Sequence, residues 1–315
     1  MLKRISNLLR QIFRSNAPAQ RDERAEVAAR LEQNVLALVG NMPTLPAIAT
    51  RAMAMADDPQ VAFADFARLI DGDVAIATAL LRIANSAFFG GGPPASRLEQ
   101  GVVRLGMFQC KNLILAVGMK SLLWKMVGEE KAQCEVLWHH GNLTGGLCYQ
   151  LSRRFRLMLD DTAFAAGLLH DLGRILLLLA DPACFAKAGA GDFVESPGVL
   201  ERERLAIGID HCALGGWFGE HSNLPEPLLQ AMRFHHDPAA AGDGRPLVAL
   251  VAAADHMANH LQRGEATESY NSQDNVGLVY LCERWPAARK KRLLGELLAL
   301  LEESRQAAAG EPSGV

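Results

Sequence analysis

The stretch Ala163–Leu179, AFAAGLLHDLGRILLLL, decides how this chain is read. Its apolar positions recur at helical spacing, as in a core helix, yet His170 and Asp171 stand where such a helix would ordinarily carry leucines. An ionised carboxylate is expensive to bury unless something pairs with it. Suitable partners are a divalent metal, or polar side chains delivered by neighbouring helices. The chain supplies candidates on both sides: His140 before the dyad, then His211, His235, His236 and Asp255 after it.

Outward from this segment the helical period persists. Upstream, helices are expected at 132–154, carrying Trp138, His139 and His140, and at 96–124, bent at Leu105-Gly106. Earlier ones fall at 73–85, with Asp73 as N-cap, at 62–70, at 47–56 behind Pro43 and Pro46, and at 25–39, stopped by Gly40-Asn41. Downstream, Pro182 is expected to stop the dyad helix, and a polar connection leads to a helix at 199–207. Asp210-His211 opens a shorter helix, and another ends at His235-His236. Residues 239–245 read as a loop, and 246–261 as a helix holding Asp255. Residues 263–288 show no clear period, 287–309 form a last amphipathic helix, and the EPSGV tail reads as disordered. No alternating pattern outcompetes the helical one, so the expected class is all-α, a multi-helix bundle.

Composition sets further bounds. Of 315 residues, 50% are hydrophobic and 21% charged, as in a soluble globular protein, and a net charge of -3 is too small to argue for a nucleic-acid partner. Six cysteines without a CxxC pair argue against a disulfide framework or thiolate zinc site and fit a reducing, cytoplasmic setting. No run is expected to span a bilayer, because the dyad and Arg174 interrupt the most apolar one. The opening MLKRISNLLRQIFRSN has no continuous apolar h-region, so no secretory signal is expected. Residues 1–14 read as a cationic amphipathic helix that docks on the protein's own body or frays, with contact to an anionic membrane surface as the alternative; a polar linker runs to residue 24.

GLLHDLGRILL resembles the signature of the HD superfamily, helical metal-dependent phosphohydrolases whose ligands run His, His-Asp, then a distant Asp. The resemblance maps that series onto His140, His170, Asp171 and Asp255, with a divalent ion (Mn, Fe, Mg or Zn) as the implied cofactor. His211, His235 and His236 are similar to the longer ligand series of HD-GYP phosphodiesterases, which implies a second ion. The upstream half is similar to the HDOD domain, a non-catalytic relative used in bacterial signalling. Its marks here are Leu45-Pro46, DVAIATALLRIANSAFFG, Val103-Arg104-Leu105-Gly106, Trp138-His139-His140, ERERLAIGIDHCALGGWF, and Leu224-Pro225 leading to His235-His236, over roughly residues 30–262. This divides the chain into 1–24, an HDOD domain at 25–262 (an N-terminal lobe to 130, an HD-like lobe from 131), and a C-terminal extension at 263–315.

Two departures stand out. His235-His236 runs into Asp237-Pro238 instead of a Gly-Tyr-Pro segment, and Arg174 occupies a position where HD-GYP proteins carry lysine. The implied function is a regulatory module that binds a signalling partner protein or a small ligand through a degenerate HD groove. The alternative is a metal-dependent phosphohydrolase acting on a nucleotide or phosphoester, with Asp171 a ligand and Arg174 a phosphate contact. His139, His221, His256 and His260 read as surface histidines, and Trp138, Trp217 and Phe218 as core. Asn85-Ser86 reads as a helix cap, and the Glu201–Arg204 run as a solvated helix face.

Overall fold

The computed structural model describes residues 23–42, 60–86, 88–89, 92–194 and 198–310, with 48, 51, 52 and 55 between them. The expected helix at 1–14, most of that at 47–56, and the tail at 311–315 lie outside the described residues. Among the described residues there is no strand, and the structure is all-helical.

Chain order runs α1 (Glu23–Gly40), α2 (Phe63–Asp71), α3 (Val74–Asn85), α4 (Leu98–Leu105), α5 (Met107–Trp124) and α6 (Lys131–Phe155). It continues with α7 (Asp160–Leu169), α8 (Leu172–Ala180), α9 (Pro182–Ala188), α10 (Val199–Ile207), α11 (His211–His221) and α12 (Glu226–Phe234). A 3₁₀ turn (Pro238–Gly244) leads into α13 (Arg245–Gln262), then α14 (Val276–Cys282) and α15 (Ala287–Gly310). Helix α6 is the spine: α7 and α13 pack along it, α8 packs on α11, and α11 on α12. Helix α1 docks on α8 and α10, with Arg30 Nε donating to Asp181 Oδ2 at 3.0 Å.

Local signals account for several boundaries. Asp73 accepts from the backbone N–H groups of Ala75 and Ile76 and caps α3. The bend expected at Leu105-Gly106 is an angle of 109° between α4 and α5, with Gly106 at φ 84.

Elsewhere tertiary packing overrides the local reading. As expected, α8 ends just before Pro182, at Ala180, but the connection after it is not loose: Pro182 starts α9 at the first helical position, with the Asp181 carboxylate accepting from Cys184 N–H. The unread stretch 263–288 contains α14, whose N-cap Asn275 is buried and donates to the Ala253 carbonyl at 2.9 Å. Asn85 ends α3, with Ser86 as its C-cap as expected, but the Asn85 side chain is used elsewhere. Its side chain makes two hydrogen bonds to the backbone of Ala95, pinning the loop ahead of α4. The stretch Asp161–Ala180 is long and apolar enough to cross a membrane, contrary to expectation, with a mean hydropathy of 1.6. It is 89% buried inside the protein, where its apolar surface is already matched.

The dyad segment is also not one helix. It breaks at His170-Asp171 into α7 and α8. Asp171 sits at the N-cap of α8, where aspartate is among the preferred residues, yet its carboxylate makes no capping bond. Two close approaches hold the break in place. Gly167 of α7 meets Gly145 of α6 so tightly that a Cβ on Gly167 would lie 2.7 Å from the Gly145 Cα. A Cβ on Gly173 would lie 1.9 Å from the carbonyl oxygen of His211. Gly173→Ala is therefore expected to destabilise the protein by about 2–3 kcal/mol, because the obstructing atom is backbone and α8 must move off α11. Chemical unfolding of the variant checks this; a loss below about 0.5 kcal/mol would show that the two helices separate without cost.

Candidate metal centre

Five elements bring the singled-out residues to one place. His140 lies on α6, His170 and Asp171 at the α7–α8 break, His211 at the start of α11, His235 just past α12, and Asp255 on α13. All six are buried.

Each of the four imidazoles has an acceptor against its Nδ1. These are Gln262 Oε1 for His140 (3.3 Å), the Gly167 carbonyl for His170 (2.7 Å), Glu203 Oε2 for His211 (2.7 Å) and the Ala231 carbonyl for His235 (3.0 Å). An acceptor there calls for the N–H on Nδ1, which makes Nε2 the lone-pair nitrogen of the neutral ring. All four Nε2 atoms face two carboxylates. Asp255 Oδ1 lies 2.9 Å from Nε2 of His140 and 3.3 Å from that of His170. Asp171 reaches both ways: Oδ2 is 3.6 Å from His170 Nε2 and 3.8 Å from His140 Nε2, while Oδ1 is 3.3 Å from His211 Nε2 and 3.5 Å from His235 Nε2.

Donors sharing one ion at about 2.0–2.2 Å lie roughly 3–3.6 Å apart at octahedral or tetrahedral angles. The spacings above are of that size. Two buried atoms in the cluster, His170 Nε2 and Asp171 Oδ1, make no hydrogen bond of good geometry. Buried polar atoms are nearly always satisfied, so these two are suited to a further partner at the centre. The donors fall into three overlapping groups whose ligand atoms are close enough to share a divalent ion: His140, His170 and Asp255; His170, Asp171 and His235; and His211, Cys212, His235 and His236. In the third group, which contains the expected second-ion set of His211, His235 and His236, the Cys212 thiol lies 3.5 Å from His211 Nε2.

The electrostatics follow from charges held out of water. Burial works against the charged form of both carboxylates, but Arg174 and His170 hold Asp171 well below the usual range, and His140 and His170 do the same for Asp255. Burial pushes His170 down, and the Asp171 and Asp255 carboxylates outweigh it, carrying its pKa up to about 9. Burial lowers His235, and with the neighbouring imidazoles it lowers His236 further. Arg174 Nε lies 3.1 Å from Asp171 Oδ2, so this arginine is buried against the dyad carboxylate.

Sequence reasoning missed Glu203. It is not part of a solvated face: its side chain is fully buried and accepts from both the backbone N–H (2.9 Å) and the ring of His211. The signal was present, since Val199, Glu203 and Ile207 stand four apart on the buried stripe of α10. His260 was also misread. It is buried, with Nδ1 2.8 Å from Glu265 and Nε2 3.0 Å from the Ala266 carbonyl, because the segment after α13 folds back over it. His139 is exposed, His221 and His256 are half-buried, and Trp138, Trp217 and Phe218 are core. Asn259 donates to Asp255 Oδ1 at 3.0 Å from one turn along α13.

Over the centre lies a pocket of about 800 Å³, with His235, His236 and Asp255 in its floor and Arg204, Arg263 and Tyr270 in its walls. The Phe193 ring covers His140 at 4.9 Å between centroids.

The comparisons with known proteins agree with this architecture. The HDOD domain family matches over residues 42–238, more than half of the chain, and the chain belongs to that family. The match ends before Asp255. An HDOD domain protein of Geobacter sulfurreducens has a similar fold, with a TM-score of 0.67 at 22% identity, covering 90% of this chain and 98% of the other. A candidate phosphohydrolase of Shewanella amazonensis SB2B gives 0.63 at 20% identity over 89% and 98%. A candidate signal transduction protein of Marinobacter aquaeolei VT8 gives 0.54 at 17% identity over 98% and 66%. An uncharacterized protein of Treponema pallidum (strain Nichols) is 29% identical over 230 residues, which is 71% of this chain; the chain spans only 44% of that relative's length.

Proposed function

We propose that this HDOD protein holds two divalent ions and hydrolyses a phosphoester bound in the pocket above them. One observation carries the reading: four buried imidazoles, each tied at Nδ1, present Nε2 to Asp171 and Asp255. Bound ions would neutralise phosphoryl charge and activate water. The chain's own residues supply the rest. Arg174 keeps Asp171 ionised, and Glu203 fixes the ring of His211. Arg204, paired with Glu201 and Asp210, and Arg263, paired with Glu265, stand in the pocket wall within reach of a phosphate, and Phe193 packs against the His140 ring. His236 lines the pocket floor, and its Nε2 is a buried atom without a hydrogen-bond partner.

Cyclic dinucleotides are not the expected substrates. The chain after His235-His236 enters the 3₁₀ turn at Pro238, where HD-GYP enzymes carry Gly-Tyr-Pro. That same departure favours a second reading, a regulatory module in which the centre supports packing and a signalling partner binds elsewhere.

Metal analysis of protein purified without chelator, together with hydrolysis of bis(p-nitrophenyl) phosphate in added Mn²⁺, tests the first reading. Close to two ions per chain and metal-dependent turnover are expected. Metal at a hundred times its dissociation constant should stabilise the fold by about 2.7 kcal/mol. Tight metal binding with no turnover on any phosphoester would leave the regulatory reading, and absence of binding would remove the metal centre altogether.

A further inference from the structure

A second cleft, of about 560 Å³, opens away from the metal centre, between the α6–α7 turn, the start of α13 and the α14–α15 turn. Four guanidiniums line it, from Arg156, Arg245, Arg284 and Arg289, against two carboxylates, Asp243 and Glu283. That local excess of positive charge stands on a chain whose net charge is -3. Its volume is that of a small-molecule pocket.

Two of the arginines lie over aromatic rings. The Arg289 guanidinium lies 3.9 Å from the centroid of the Trp285 ring, and that of Arg245 4.8 Å from Tyr280. Stacking engages the face of a guanidinium and leaves its in-plane N–H donors available. Arg289 spends one of these on the Phe155 carbonyl, at 2.5 Å. Arg245 uses one on Glu283 at 3.5 Å, and its buried Nε has no hydrogen-bond partner. Among the described residues, no side-chain hydrogen bond or ion pair engages Arg156 or Arg284. Arg156 also ends α6 in the left-handed region (φ 52), where glycine is the usual occupant. With an arginine over each of these rings, the cleft's polar offering is guanidinium N–H donors. Donors of that kind recognise phosphate oxygens in pairs.

We propose that this cleft is a separate site for the phosphate groups of a small polyanion, such as a nucleoside triphosphate or pyrophosphate. Metal plays no part in it. Arg245 stands ten residues before Asp255 on α13, a distance of roughly 15 Å along the helix.

The test is isothermal titration calorimetry of the full chain in EDTA, with pyrophosphate and with adenosine 5′-triphosphate as probes. Saturable binding of at least one probe is expected, and which of them binds separates an inorganic from an organic source of the phosphates. Arg245→Gln combined with Arg284→Gln should weaken binding by at least about tenfold. Arg156→Gln, at an exposed position, provides a readout should the double variant misfold, and it should weaken binding severalfold. Arg202→Gln, at an exposed position that lines neither pocket, should bind as the wild type does. No saturable binding of either probe at millimolar concentration would overturn the proposal. So would unchanged affinity in a folded variant of the cleft arginines, or an equal loss in Arg202→Gln.

Discussion

Replacing Asp171 by asparagine is expected to remove both ions and lower phosphoester turnover by at least about a hundredfold, since even outer-shell substitutions at metal sites cost 10–100-fold. The size of the effect comes from the position of the two oxygens, one toward His140 and His170, the other toward His211 and His235. An amide keeps the shape but loses the charge that two cations would share. His211→Ala, by contrast, should release one ion only, because His211 faces a single oxygen of Asp171. The metal-free protein should suffer as well. Arg174 is buried beside Asp171, and removing one member of a buried pair costs about 3–5 kcal/mol. Metal content, turnover and melting in EDTA, measured on wild type and both variants, separate these effects. If Asp171→Asn kept two ions and full turnover, the assignment of Asp171 as a metal ligand would fail. A change in melting alone, with neither protein turning over a phosphoester, is what the regulatory reading requires.

The second large effect is expected at Glu203. Glu203→Ala should destabilise the fold by about 3 kcal/mol, because it strands the His211 backbone N–H and ring Nδ1 in a dry interior. For a domain of this size that corresponds to a fall in melting temperature of about 6–12 °C. Burial opposes the charge on Glu203, and the His211 ring and backbone together hold its pKa down, so it remains a carboxylate. Glu203→Gln retains the volume and an acceptor but not the charge. It should melt closer to wild type while binding metal about 10–100-fold more weakly, since a neutral amide leaves the His211 ring less basic. Thermal unfolding and metal titration check both variants. A residue on a solvated face would behave otherwise, and an unchanged melting temperature in Glu203→Ala would return it to that description.

Much of the architecture was legible because helix formation is written in neighbours three and four apart. The Asp73 cap, the Leu105-Gly106 bend and the helical class all rest on such short-range information. The chemistry of the dyad was legible too, since a carboxylate within an apolar helix must be answered by something. Glu203 could have been read from its four-residue spacing to Val199 and Ile207, but the alternating charges of Glu201–Arg204 drew the reading toward solvent.

Other features were decided only by packing. Periodicity across 163–179 runs unbroken through His170-Asp171, and the break there depends on close backbone approaches, Gly167 to Gly145 and Gly173 to His211. The burial of His260 depends on a later segment folding back over it, and the depth of Asp161–Ala180 on the helices that surround it. His140 and Asp255 are 115 residues apart in the chain and 2.9 Å apart in the fold. A sequence names the donors by their chemistry. Their distances come from helix packing, because ångström-scale convergence from five elements depends on where each backbone is stopped by its neighbours.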